Sequence, residues 1–174
     1  MKTKFKLTTE DRNFLLEQIR SIIHTEPFLQ LKKYRHHAHI STYTHVIRVA
    51  YLSYEFVKKH HLKVNETELI RAALFHDLYF YDWHDKNNGV HLHGLFHPKK
   101  AIRNAQIHYH LSKREARHMK HHMFPLTPIP PLTKEGWVIC ICDKKAARAD
   151  YKTIRIRKKL SKEKESEFTK ESLL

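Results

Sequence analysis

The sequence predicts an all-α protein, and three observations predict it. Residues that break helices are scarce: there are three Gly and six Pro in 174 residues, and four of the Pro lie within Met123–Leu132. The remainder is rich in Lys, Glu, Leu, Ala and Arg, which lose little on entering a helix. Apolar residues also recur three and four positions apart, behind polar residues that suit helix starts. A chain of this length fits one hydrophobic core. The expected organisation is a single domain over 1–174, with its core at about 9–150 and a basic, charged C-terminal helix or tail at 151–174.

Thr8 with Asp11 three residues on resembles a capping box, and Phe14, Leu15, Ile19, Ile22 and Ile23 follow at helical spacing, so a first helix is expected from about Thr9 to His24. Pro27 suits the start of a short second helix through Phe28, Leu31 and Lys32. The run Tyr34–His39 is basic and irregular and reads as a solvated or phosphate-facing loop, with no ligand among its histidines. Ser41 or Thr42 caps a helix reaching His60 or His61, with Val46, Val49, Ala50, Phe56 and Val57 on one face. His45 lies beside Val46 and one turn before Val49, so it points inward.

Asn65 with Glu68 forms the next capping box, for a helix carrying Leu69, Ile70, Ala73 and Leu74 and ending in His76-Asp77. From Leu78 to Gly89 the chain is aromatic, then polar, and reads as a helix end entering a loop. Pro98 suits a first helical position, which would put His97 at an N-cap, at the mouth of its helix. Ser112 with Glu115 starts a helix ending near His121-His122, and the Pro-rich stretch Met123–Pro131 reads as an extended connection. Thr133 caps the last core helix, with Trp137, Val138, Ile141, Ala146 and Ala147 packing and Asp143 interrupting its apolar run. From Tyr151 onward Lys, Arg and Glu dominate, as in a solvated helix or a frayed tail.

Net charge is +15 and the pI is near 9.8. That suits a nucleic acid, an anionic surface or a phosphorylated small molecule as partner. Cys140 and Cys142 stand two apart on a helix and do not face each other, so a reduced, cytoplasmic protein is expected. The first nine residues hold no apolar run of the secretory kind, and no segment approaches the ~20 apolar residues of a membrane span.

Ala72-Ala73-Leu74-Phe75-His76-Asp77 is the most informative stretch. An apolar run ends in an imidazole and a carboxylate, and burying that carboxylate is costly unless something positive meets it. A divalent metal is one such partner, because both groups are ligands for it. Histidine is abundant, at 17 residues, so chance His motifs are expected; His84-Asp85 is one, since it leads into a polar loop. Further candidates follow in order in separate elements: His45, His76-Asp77, His97, His122 and Asp143.

The order H…HD…H…H…D closely resembles the HD-domain superfamily of metal-dependent phosphohydrolases, from about His45 to Asp143. The flanking text AALFHDLYFYDWH, GLFHPKKA and HHMFPLTPIPP…DKKAA is similar to small, single-domain bacterial members. The resemblance implies a compact helical HD-domain fold. It assigns His45, His76, Asp77 and Asp143 to one metal, and Asp77, His97 and His122 to a second, with Asp77 as the bridge. His76, Asp77 and Asp143 would then form the catalytic core. The implied cofactor is one or two divalent transition-metal ions, Fe, Mn, Zn, Ni or Co. The implied reaction is hydrolysis of a phosphate ester or anhydride in a nucleotide or another small phosphorylated molecule. Lys99, Lys100 and Lys144 follow proposed ligands and are candidate phosphate contacts, and His84 is a candidate pocket residue beside Trp83.

Two other classes remain open. A basic helical nucleic-acid-binding protein without hydrolase activity would use Arg155-Ile156-Arg157-Lys158-Lys159, and would show salt-sensitive binding with no turnover. A His-rich metal-storage protein would bind many weak ions per chain.

Overall fold

The structure is a computed structural model that describes residues 5–37, 40–85, 87 and 91–171, with the backbone alone at 37, 153–154 and 156–171. Among these residues the chain forms seven α-helices, one short 3-10 turn and one two-stranded hairpin, an arrangement compatible with the all-α HD-domain fold. None of the described helices is long and apolar enough to cross a membrane. The expectations for residues 1–4, Ala38, His39, Lys86 and Asn88–Val90, and for most of the side chains beyond Lys152, lie outside the described residues.

Local capping chemistry sets most helix starts. Helix α1 (Thr9–Ile23) begins at Thr8, whose hydroxyl accepts the Asp11 N–H at 3.1 Å while the Asp11 carboxylate accepts the Thr8 N–H at 3.2 Å. Helix α2 (Glu26–Gln30), with Pro27 in its first turn, runs into a 3-10 turn at Leu31–Lys33. Strands β1 (Arg35–His37) and β2 (Ile40–Ser41) then pair antiparallel, where composition suggests only an irregular loop. Ser41 caps α3 (Thr42–Lys59), accepting the Thr44 N–H at 3.3 Å.

Helix α4 (Glu66–Phe75) is the hub. Leu69, Ile70, Ala72, Ala73, Leu74 and Phe75 are all fully buried, so successive residues face core on every side. Each large side chain among them contributes about 1.5–3 kcal/mol of burial. Asn65 accepts the Glu68 N–H at 3.1 Å, but the expected return contact from Glu68 is replaced. The Asn65 N–H donates to Glu135 at 3.3 Å, and Glu68 instead meets Arg114 and His118. Tertiary partners take over the box, which ties the start of α4 to the two last helices of the chain.

Helix α5 (His93–Tyr109) starts five residues before Pro98, so the expected helix start there is incorrect. A proline inside the second turn removes one donor, leaving only the Gly94 carbonyl without its helical partner. Ser112 and Glu115 form the expected box at α6 (Lys113–Met119). The Pro-rich stretch is folded, not extended: Leu126 N–H donates to the Met123 carbonyl at 2.8 Å, and Phe124 N–H to that of His121 at 3.2 Å.

Helix α7 (Lys134–Glu171) is capped by Thr133, which accepts the Gly136 N–H at 3.0 Å. Its buried row is Val138, Ile139, Cys142 and Ala146, whereas Trp137 and Ile141 are 40% and 44% exposed. Val138 and Ala146 pack as expected from sequence, while Ile139 and Cys142 take the buried places expected of Trp137 and Ile141. Cys140 and Cys142 are both free and buried.

One part-buried ion pair locks three of these elements. Arg71 of α4 donates to Glu115 at 2.5 Å and to the Tyr109 carbonyl at 3.0 Å, while the other Glu115 oxygen accepts the Ser112 N–H at 2.7 Å. Glu115 is buried. Arg71→Ala leaves one Glu115 oxygen without its partner and should remove about 1.5–3 kcal/mol of stability, read as a lower denaturant midpoint at unchanged slope.

Candidate metal centre

The C-terminal end of α4 delivers His76 and Asp77 to the middle of the molecule. His76 is the C-cap residue, and its Nδ1 donates to the Ala73 carbonyl at 2.8 Å, satisfying one of the open carbonyls of the last turn. The backbone then turns, with Leu78 N–H donating to Phe75 and Tyr79 N–H to Asp77. Asn104 of α5 donates to the Leu78 carbonyl at 2.8 Å, which fixes the turn from the other side. The Asp77 carboxylate is left buried in a ring of imidazoles.

Its two oxygens face different imidazole sets. Oδ2 lies 2.9 Å from Nε2 of His36, 3.5 Å from that of His76 and 3.9 Å from that of His45. Oδ1 lies 3.0 Å from Nε2 of His97 and 3.6 Å from that of His122. On α7, Asp143 comes from the opposite side, 3.0 Å from Nε2 of His45 and 3.9 Å from that of His76. His45, His76, Asp77, His97, His122 and Asp143 therefore meet at one place, from three helices and the turns after α4 and α6, and all six are buried.

The tautomers of three of these rings follow from their partners. Nδ1 of His76, His97 and His122 lies 2.8–2.9 Å from the carbonyl of Ala73, His93 and Met119 respectively. A carbonyl only accepts, so each Nδ1 carries a proton, and in the neutral ring each Nε2 is a lone pair. His97 and His122 point these lone pairs at each other across 2.9 Å. Nε2 of His76 and Oδ1 of Asp77 make no hydrogen bond. Lone pairs converging at such distances call for a cation, and about 3 Å is the spacing of adjacent nitrogens that each lie ~2.1 Å from one ion. The donors fit one or two divalent ions; three groups drawn from them (His36–His45–Asp77, His45–His76–Asp143 and His76–Asp77–His122) place their ligand atoms within 4.8 Å of one another.

Electrostatics agree. Burial raises the Asp77 carboxyl, but His76 and His97 beside it outweigh burial and hold it well below the ordinary range; His45 and His76 do the same for Asp143. Burial opposes charge on His76, yet Asp77 and Asp143 raise its pKa above 6.5, whereas burial lowers that of His122. A ring with a raised pKa keeps its proton to higher pH, so an ion must displace a proton there. Metal affinity should therefore fall as pH drops, beginning above 6.5, with protons released on binding. Competition titrations between pH 8 and 5 check this, and constant affinity would contradict it.

The remaining candidates lie differently. Lys144 lines the cavity that opens onto the site, but its ammonium donates to the His122 carbonyl at 2.9 Å and to that of Cys140 at 3.3 Å. Lys99 is exposed and off the cavity wall. Lys100 sits 4.4 Å over the Tyr81 ring, facing a separate hollow. His84 lies tilted against Trp83, with ring centroids 3.8 Å apart, and contacts Asp82 at 3.1 Å; Trp83 reaches the cavity wall and His84 does not. Asp85 is exposed and accepts the Asn87 N–H, far from a ligand role.

Two residues at the site escaped the sequence reading. His36, expected in a solvated loop, is 6% exposed and stacks on His45 at 3.6 Å. Strand geometry is the reason: neighbours on β1 face opposite ways, so Arg35 is exposed and His36 turns inward. Asp150 is fully buried, pairs with Arg48 of α3, and lies 4.0 Å from Nδ1 of His45.

A family model described as the HD domain matches residues 42–148, a segment that contains His45, His76, Asp77, His97, His122 and Asp143. No curated protein and no solved structure matches the chain.

Proposed function

Since the chain belongs to the HD-domain family, within a superfamily of metal-dependent phosphohydrolases, we propose that it hydrolyses a phosphate ester or anhydride of a small phosphorylated molecule, a nucleotide foremost. The observation that carries this reading is the carboxylate of Asp77, whose two oxygens serve two separate imidazole sets. His45, His76, Asp77 and Asp143 would hold one ion, and Asp77, His97 and His122 a second. When bound, such ions lower the pKa of water and polarise a phosphoryl group.

The chain's own residues supply the rest. Carbonyls of Ala73, His93 and Met119 fix three imidazole rings, so the ligand geometry is set before any ion arrives. A cavity of about 830 Å³ opens onto the carboxylates, within the range of small-molecule sites. Away from the donors its wall is apolar, with Trp83, Met123, Pro125 and Leu126. His93, whose pKa burial pushes down to about 3, lies parallel to Trp83 at 5.0 Å and extends a flat aromatic surface. That wall suits the organic part of a substrate, such as a base, with its phosphate at the carboxylate end. The net charge of +15 favours approach of an anion.

The test is phosphate release from phosphomonoesters, nucleotides and dinucleoside polyphosphates by the metal-loaded protein. Turnover that a chelator abolishes and added metal restores is expected for at least one class. No turnover of any, alongside nucleic-acid affinity that falls steeply with salt, would favour a binding protein instead.

A further inference from the structure

We propose that His36 is a further ligand of the ion held by His45, His76, Asp77 and Asp143, so that the chain meets this ion with five side chains and its neighbour with three. The inference rests on the metal-dependent reading above, but goes beyond the family pattern, because His36 precedes the matched segment 42–148.

Three observations converge on it. Nε2 of His36 is the imidazole nitrogen nearest Oδ2 of Asp77, at 2.9 Å, closer than those of His76 or His45. Its ring lies against that of His45, with centroids 3.6 Å apart and 14° between the planes, which brings its Nε2 beside the carboxylate that His45 also faces; because each lone pair lies in its ring plane, the two rings turn out of parallel to share one ion. The ligand atoms of His36, His45 and Asp77 also lie within 4.8 Å of one another, which makes them a metal-holding group in their own right.

The number of rings points the same way. Five imidazole Nε2 atoms lie within 4 Å of the single Asp77 carboxylate. At least His76, His97 and His122 have already committed their Nδ1 protons to carbonyls. A carboxylate only accepts, so it cannot satisfy a neutral Nε2 lone pair, whereas an ion can. His36 faces the same carboxylate from the β1–β2 hairpin, its Nε2 within hydrogen-bond distance of Oδ2, where a bound ion would displace the shared proton and make the hairpin a strap fastened to the metal.

The decisive measurement uses the wild-type protein loaded with cadmium and carrying nitrogen-labelled histidine. Scalar coupling between cadmium and ring nitrogens identifies each ligand directly. The expected result is coupling from His36 Nε2 to the same cadmium ion that couples to His45 and His76. Coupling to His45 and His76 with none to His36 would overturn this proposal alone. No coupling to any histidine would instead overturn the metal centre itself. As a second readout, His36→Ala should change the visible spectrum of the cobalt-loaded protein and weaken binding of that ion at least tenfold, with free imidazole restoring both. Weaker binding with an unchanged spectrum and no rescue would reduce His36 to a residue that positions Asp77, and so contradict ligation.

Discussion

Asp77→Ala should strip the protein of both ions and reduce hydrolysis to the uncatalysed background. An imidazole presents one ligand nitrogen at a time to a site, but a carboxylate has two oxygens, and those of Asp77 face separate imidazole sets. Removing it takes a donor from each ion and leaves five buried imidazoles with no shared anion. Asp85→Ala is the matched control. It removes the exposed carboxylate of the other His-Asp pair, which accepts the Asn87 N–H, and it should leave metal content and turnover intact. Metal analysis of both purified variants, with circular dichroism to verify folding, separates the outcomes. Equal loss in the two would contradict the assignment of His76-Asp77.

His97→Ala and His122→Ala should each lower metal content from two ions per chain to one and cripple turnover. Both rings face Oδ1 of Asp77, and their Nε2 atoms stand 2.9 Å apart. Neither contacts Asp143, which serves His45 and His76 on the other side. His121→Ala is the sharpest comparison, because His121 adjoins His122 in sequence and is also buried. Burial and Lys120 lower its pKa, but its ring makes no ion pair with Asp77 or Asp143 among the described residues, whereas those of His97 and His122 lie 3.0 and 3.6 Å from Asp77. Metal content should not change in that variant. Loss of an ion from His121→Ala with His122→Ala silent would place the register one residue off.

Much of this was legible before any coordinates because its causes are local. Thr8, Ser41, Ser112 and Thr133 cap helices through contacts to residues three positions on, which a sequence displays directly. His76-Asp77 stood out because two ionisable groups end an apolar run. The features that escaped depend on partners distant in sequence. Glu68 looks like half of a capping box, yet Glu135, on another helix, takes its place. His36 looks solvated until a hairpin presses it against His45. Pro98 reads as a helix start because proline suits that position, but the structure tolerates it one turn deeper. The basic lysines illustrate the same limit: Lys144 and Lys100 follow or neighbour site residues in sequence, while helical rotation sends one to backbone carbonyls and the other onto Tyr81.

The most direct measurement is the metal content of the purified protein after equilibration with a divalent transition metal and gel filtration. Two ions per chain, with both lost on Asp77→Ala, is the expected result. No retained metal would contradict a metal centre. Many weakly held ions spread over the 17 histidines would contradict a built site. A single ion indifferent to His97→Ala and His122→Ala would contradict the sharing of Asp77.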